Sequence, residues 1–382
     1  MVLYYIFMQE IKMVDLKGQY SKVKHEIDMA IQDVLDNTEF INGTEVKKFQ
    51  KDLEQFLSVK HVIPCANGTD ALQIAMQALD LKPDDEVITS DFTFIATVEV
   101  IALLGLKPVL ADVDPNTFLI TPENIEKLIT PKTKAIVPVH LFGQCCDMEK
   151  IMDIAKKYNL FVIEDAAQAI GADFTFSNGK VQKAGTIGHV GCTSFFPSKN
   201  LGCFGDGGAL FTNDDEIAAM LRSVANHGMK VRYYHDHIGV NSRLDTIQAA
   251  ILNVKLKHLD EYNLARRKAA AFYDNAFKDN SKIQTPVRVG NSNHIFHQYT
   301  LLVKEVDRDA LKSHLHEKGI PAMVYYPVPM HLQNAYKYLG YKENDFPVSE
   351  NLCKIVISLP MHTELDNEQL EYISKTINEF TR

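Results

Sequence analysis

Apolar positions along the chain fall first into a helical rhythm and then into a strand-like one. Residues 21–36 set Val23, Ile27, Ala30, Ile31, Val34 and Leu35 at helical spacing. Residues 44–57 repeat the pattern with Val46, Phe49, Leu53, Phe56 and Leu57. From about residue 60 the rhythm changes. Short runs rich in Val and Ile at 61–66, 86–89, 107–112, 135–139, 160–164 and 208–212 read as strands. Helical stretches at 69–79, 97–104 and 148–157 lie between them. This alternation predicts an α/β fold with a mainly parallel sheet covered on both faces. After Arg243 one long helix is expected over 246–277, then a strand at 296–304, a helix at 308–318 and a closing helix beyond Pro360. The change predicts a large α/β domain over 1–250, with a helical N-terminal segment, and a smaller α+β domain over 251–382.

Composition narrows the classes. A chain of 382 residues with 46% hydrophobic and 23% charged positions has room for two domains with real cores. A net charge of −9 argues against a nucleic-acid or anionic-membrane surface. The six cysteines, at 65, 145, 146, 192, 203 and 353, show no CxxC spacing and no metal-ligand periodicity, so reduced thiols and no structural metal are expected. Residues 1–8 are apolar but lack the basic start and cleavage site of a signal peptide. No run reaches the ~20 apolar residues of a membrane span, and a cytoplasmic protein is expected.

Chemistry concentrates where strands end. Asp165 closes the apolar run at 160–163, and Lys199 follows in a small-residue, turn-forming stretch, Gly191-Cys192-Thr193-Ser194-Phe195-Phe196-Pro197-Ser198-Lys199, that runs on into Gly202, Gly205, Gly207 and Gly208. A lysine and a strand-end carboxylate in this layout suit pyridoxal phosphate: the amine binds the aldehyde and the carboxylate pairs with the protonated ring nitrogen. Asn67-Gly68-Thr69-Asp70 joins a strand to a helix, where free amides hold phosphate; taken alone, the segment also reads as a plain helix start capped by Thr69 or Asp70. Ser194, five residues before Lys199, is a candidate second phosphate donor, although a lone serine carries no signal. An aromatic from Phe92 or Phe94 can stack on the ring, and the residues alone do not choose between them. The glycines at 202–208 match no dinucleotide fingerprint, which disfavours a nicotinamide-dependent oxidoreductase.

These segments, with Gly239-Val240-Asn241-Ser242-Arg243-Leu244-Asp245, resemble the sugar aminotransferases of the DegT/DnrJ/EryC1/StrS family from about Asp15 to the C-terminus. The resemblance implies an aspartate-aminotransferase-like fold and a homodimer with active sites at the subunit interface. It makes Lys199 the Schiff-base lysine, Asp165 the ring-nitrogen partner and Gln168 the neighbour of the phenolic oxygen. Gly68, Thr69 and Ser194 become the phosphate cradle, Phe94 the stacking aromatic, and Asn241 a phosphate ligand donated across the dimer. Relatives with histidine at the lysine position are dehydratases, a branch that Lys199 argues against.

Within the family the chain is most similar to enzymes that install a 3-amino group on UDP-2-acetamido-2-deoxy-3-oxo-glucuronate for surface polysaccharides such as O-antigen. Arg243 would then pair with the C6 carboxylate, unless it serves an ion pair at the interface, and Thr38, Phe40, Ser198, Tyr325 and Tyr326 match substrate positions. Phe40 stands where the pattern has tyrosine and Tyr325 where it has histidine. Implied is a two-stage exchange from glutamate to a keto-sugar through pyridoxamine phosphate, with Lys199 carrying the proton and its pKa lowered by a cationic neighbour and partial burial. The alternatives are a 3- or 4-aminotransferase of a dTDP- or UDP-6-deoxy-keto-sugar, and a non-catalytic cofactor-binding regulator.

Overall fold

The computed structural model describes residues 9–381; the reading of residues 1–8 lies outside them. Two helices open the chain, α1 (Leu16–Asn37) and α2 (Thr44–Leu57). There follow β1 (His61–Cys65), α3 (Gly68–Ala78), β2 (Glu86–Ser90), α4 (Ile95–Leu103), β3 (Lys107–Ala111), α5 (Pro122–Leu128), β4 (Thr133–Val137), α6 (Met148–Tyr158) and β5 (Phe161–Asp165). A small ribbon, β6 (Asp173–Thr175) and β7 (Val181–Lys183), precedes β8 (Val190–Ser194), β9 (Gly208–Thr212) and α7 (Asp215–Val224).

The main sheet has seven strands in the order β1-β9-β8-β5-β4-β2-β3. Six run parallel; β9 pairs antiparallel with both β1 and β8. Period-two alternation splits the strands between two cores. Ile88, Ile136 and Val162 face one layer with Ile125 of α5 and Ile151 of α6. Val87, Ala135, Val137 and Ile163 face the other, with Leu72 and Ile74 of α3, Val100 and Ile101 of α4 and Leu221 of α7. Both faces are therefore buried, and the chemistry is pushed to the strand ends.

Two expectations need correction. The stretch from Gly191 is not a turn throughout: Val190–Ser194 is a central strand. Its small residues answer to space, since a Cβ on Gly191 would lie 1.9 Å from the Gly185 carbonyl oxygen. The single helix expected at 246–277 is two, α8 (Thr246–Leu256) and α9 (Leu259–Phe277), broken at Lys257–His258. Nearly every residue of α8 is buried, packed against α1, α2 and the large core. From Ala269 onward α9 instead packs in a second core with Tyr299, Leu301, Ile357 and Ile373. One straight rod does not serve both.

Between α7 and α8 an exposed ribbon, β10 (Met229–Val231) and β11 (Tyr234–His235), carries Tyr233, Tyr234 and Ile238 into solvent. The C-terminal unit has a sheet of β12 (Ile283–Gln284), β13 (Tyr299–Val303) and β14 (Val356–Leu359), flanked by α10 (Arg308–Glu317), α11 (Pro347–Ile355) and α12 (Asn367–Phe380). No helix among the described residues is long and apolar enough to cross a membrane.

Candidate active site

A cavity of about 690 Å³ opens at the carboxyl ends of β1, β2, β5 and β8. Its lining includes Gly68, Thr69, Phe94, Asp165, Gln168, Ser194, Ser198, Lys199, Tyr325 and Tyr326. Ten residues chosen from sequence thus meet in one place. Phe92 and Phe94 separate cleanly: Phe92 is 1% exposed in the core, whereas Phe94 is 54% exposed at the cavity wall.

At the first turn of α3, Asn67 is the cap, not Thr69 or Asp70: its side chain accepts from the Asp70 amide at 2.8 Å, and its carbonyl accepts from Ala71. A helix start leaves four amides without helical partners, so those of Gly68 and Thr69 remain for a ligand. Gly68 keeps that turn against Ser194, where a Cβ would come within 2.8 Å of the serine Cβ.

Asp165 is fixed by its surroundings. Thr97 donates to Oδ2 at 2.7 Å and the Ala167 amide to Oδ1 at 3.2 Å. Next to it, the buried Glu164 accepts from the amides of Gly185, Ile187 and Gly188 and from His140 Nε2. His140 Nδ1 in turn accepts from the Cys146 amide, which fixes the ring tautomer. The His140 amide donates to the Asp165 carbonyl at 3.0 Å, so one residue braces both acids. Gln168 accepts from the Phe142 amide at 2.6 Å and donates to the Tyr326 hydroxyl at 3.2 Å.

Lys199 is held by its loop. Its amide donates to the Phe196 carbonyl, Asn200 donates to Asn263 and the Ile295 carbonyl, and buried Lys255 donates to the Gly202 carbonyl. Burial pushes the Lys199 amine down to about 8, against the pull of Asp165. The expected cationic neighbour is not among the causes, and desolvation does the work. An amine near 8 is poised to take and return a proton near neutral pH.

Sequence reasoning missed Thr97, which reads as an ordinary helix position, and Asp206, His297 and Gln298, which carry no motif. Burial pushes the His297 imidazole well below its usual pKa, with Lys199 and Arg266 adding to the effect. His297 Nδ1 and Thr93 Oγ1 are buried polar atoms without a hydrogen-bond partner among the described residues, and both residues line the cavity. Orphaned donors and acceptors, free helix amides, a carboxylate and a low-pKa amine fit a phosphorylated pyridine aldehyde. Gly68, Thr69 and Ser194 would hold its phosphate, Asp165 its ring nitrogen, Phe94 its ring face and Lys199 its aldehyde.

Thr38, Phe40, Asn241 and Arg243 lie elsewhere in the same chain. Thr38 and Phe40 line a separate surface recess of about 420 Å³ that also contains Lys47. Asn241 and Arg243 sit on the strip before α8, tied to that recess by an Ile41–Asp245 bridge and by the Thr246 amide donating to Phe40. Ser242, between them, accepts from the Ala66 amide at 3.0 Å, so the strip runs along the outside of the Gly68 turn.

The family model described as the DegT/DnrJ/EryC1/StrS aminotransferase family matches residues 21–378. The chain belongs to that family. It is 49% identical over 374 residues to the "Pleiotropic regulatory protein" of Geobacillus stearothermophilus, covering 97% of this chain and 99% of the relative. It is 46% identical over 363 residues to the UDP-2-acetamido-2-deoxy-3-oxo-D-glucuronate aminotransferase of Pseudomonas aeruginosa, covering 95% and 98%. The crystal structure of Streptomyces venezuelae DesV in complex with a ketimine intermediate superposes with a TM-score of 0.94 at 36% identity, covering 98% and 99% of the two chains. NtdA from Bacillus subtilis, with bound cofactor PMP, gives 0.89 at 30% identity, covering 98% and 86%. This aminotransferase therefore has the aspartate-aminotransferase-like fold expected from sequence and uses pyridoxal phosphate, which supplies the electron-withdrawing ring on which an amino group is carried.

All six cysteines are free and buried. Burial raises their thiols, that of Cys203 to about 11 and those of Cys145 and Cys353 to about 12, which makes them poor nucleophiles.

Proposed function

We propose that this aminotransferase moves the amino group of glutamate onto C3 of a UDP-linked 2-acetamido-2-deoxy-3-oxo-glucuronate in the cytoplasm, supplying an amino sugar for a surface polysaccharide. The observation that carries it is the Lys199–Asp165 cavity in a chain alike over nearly its whole length to the Pseudomonas enzyme. Lys199, with its lowered pKa, carries the proton in each half of the exchange, and Asp165 holds the ring nitrogen protonated.

The reading includes a homodimer. Asn241, Arg243, Thr38 and Phe40 share one face of the chain, and the exposed ribbon beside it leaves Ile238 89% exposed. Packed against a second copy, that face would bring Asn241 to the partner's phosphate site and Arg243 to a sugar carboxylate, where a guanidinium pairs bidentately. Division of the chain into 1–250 and 251–382 belongs to the same reading and is supported by the two cores that α8 and α9 serve.

Two observations favour alternatives. Phe40 and Tyr325 depart from the uronate pattern, which would suit a neutral 6-deoxy-keto-sugar, and the Geobacillus relative is called regulatory. A panel of nucleotide-linked keto-sugars with glutamate, read by product mass and NMR, separates these. Amination of the 3-oxo-uronate supports the proposal. Preference for a 6-deoxy acceptor replaces the substrate, and no glutamate half-reaction at all supports the regulator.

A further inference from the structure

Away from Lys199 the core holds a second cluster of ionisable groups. His331 follows the Tyr325–Tyr326 segment, and Asp91 precedes Phe94 just beyond β2. Three hydrogen bonds join the two segments. The His331 amide donates to Asp91 Oδ1 at 2.8 Å, the ring Nδ1 faces Asp91 Oδ2 at 2.8 Å, and the Met330 amide donates to the Asp91 carbonyl at 3.0 Å. On its other side the ring presents Nε2 to Glu350 Oε1 at 3.2 Å. That oxygen also accepts from the amides of Asn344 and Phe346. The His331 side chain and that of Asp91 are fully buried.

Both ring nitrogens face carboxylate oxygens, and a carboxylate only accepts. Two donors are therefore required of one imidazole, which is the imidazolium. Burial opposes that charge, but Asp91 and Glu350 outweigh it and leave the His331 pKa raised. Other ionisable groups close to the pair are Asp112, Tyr341 and Cys353. Asp112 is occupied, accepting from the Val348 and Ser349 amides at the start of α11. Among the described residues no Lys or Arg forms an ion pair with Asp91 or Glu350, so His331 carries the balancing charge.

The joint links two walls of the cofactor cavity. Phe94 and Tyr326 meet there with ring centroids 6.2 Å apart, and Tyr326 also meets Phe92 at 6.0 Å. We propose that His331 is a positioning residue for the cofactor: clasped between Asp91 and Glu350, it pins the turn carrying Phe94 to the segment carrying Tyr325 and Tyr326, and so sets the stacking ring against the bound pyridine. The inference rests on the pyridoxal phosphate chemistry of the family and is independent of which sugar is aminated.

The sign of its pH dependence follows. A raised histidine pKa means that the clasp persists above the usual histidine range and is lost as pH rises through the raised value; on the acid side it loosens as Asp91, whose carboxyl burial pushes up, takes a proton. Glu350→Gln keeps an oxygen for the Asn344 and Phe346 amides but removes one charge, so His331 should lose its proton at a lower pH. The test has two arms. Nitrogen-15 NMR of the protein without cofactor should show both His331 ring nitrogens protonated at neutral pH. Cofactor dissociation constants, measured by fluorescence from pH 6 to 10, should weaken at a lower pH in Glu350→Gln than in wild type. His331→Leu should weaken binding roughly tenfold to a hundredfold and reduce the visible circular dichroism of the bound cofactor. Should His331→Leu fail to fold, the Glu350→Gln profile and the NMR still decide. A singly protonated ring at neutral pH overturns the proposal, and so does a Glu350→Gln profile that superposes on wild type.

Discussion

The cavity at the strand ends and the face formed by residues 38–47 and 239–245 are built on opposite plans. In the cavity each chemical group is held by its neighbours: Asp165 by Thr97 and Ala167, Gln168 by Phe142, Lys199 by a loop bonded to Asn263 and Lys255. On the face Asn241, Thr38 and Phe40 are exposed, and the bonds there belong mostly to the backbone. The groups of the first are held in place by residues of one chain. The second presents its side chains outward, as the proposed pairing with a second copy requires. On the proposed reading, catalysis is preorganised by the sheet, whereas substrate choice is left to a boundary.

The sharpest way to break this comparison is Lys199→Ala. It should abolish turnover and the absorbance at about 410–430 nm that a lysine-bound cofactor gives; retained activity would sink the reading of the cavity. Next in size is Asp165→Asn, which should cut kcat roughly a hundredfold or more with the fold intact by circular dichroism, because an amide does not hold the ring nitrogen protonated. Arg243→Ala belongs to the other region. It should raise KM for a uronate acceptor roughly tenfold to a hundredfold while a neutral 6-deoxy sugar is unaffected. Equal losses for both sugars would assign Arg243 to the interface instead.

The smallest effect concerns the protein without cofactor. The Lys199 amine is pushed down to about 8 in the folded chain, while the unfolded lysine titrates near the ordinary lysine value of 10.5. The unfolded state therefore binds more protons between these values, and stability should rise with pH across that window. Lys199→Met should flatten part of the rise in urea titrations at pH 8 and 10. Lys255, lowered to about 8 by burial, supplies a slope that remains.

Much of the cavity was legible because its residues sit at strand ends that apolar runs announce. Asp165 follows Phe161–Val162–Ile163, and Gly68 follows β1. What stayed hidden depended on distant partners. The strand at Val190–Ser194 is poor in branched apolar residues because Gly191 must pass under the Gly185 carbonyl, a constraint invisible locally. Thr97 reveals its role only when α4 is laid beside the end of β5. The break at Lys257–His258 reflects the two cores that α8 and α9 serve rather than any proline or glycine there. Likewise, which of Phe92 and Phe94 turns outward is decided by packing against Phe118 and Tyr326.

The reversed strand β9 has a consequence for how this enzyme can diversify. Because β9 runs back beside β8, the excursion bearing Lys199 leaves the rim at Ser194 and re-enters it at Gly208, paired partners in the ladder. Both feet stand on the same ledge, with Gly208 so close to Asn67 that an added methyl would lie 2.4 Å from its carbonyl carbon. Lengthening that excursion would have to bulge into the cavity or outward, since neither foot can shift. Sequence drift should therefore spare its length and accumulate instead on the outward-facing strip, where new acceptors can be accommodated without disturbing the amine.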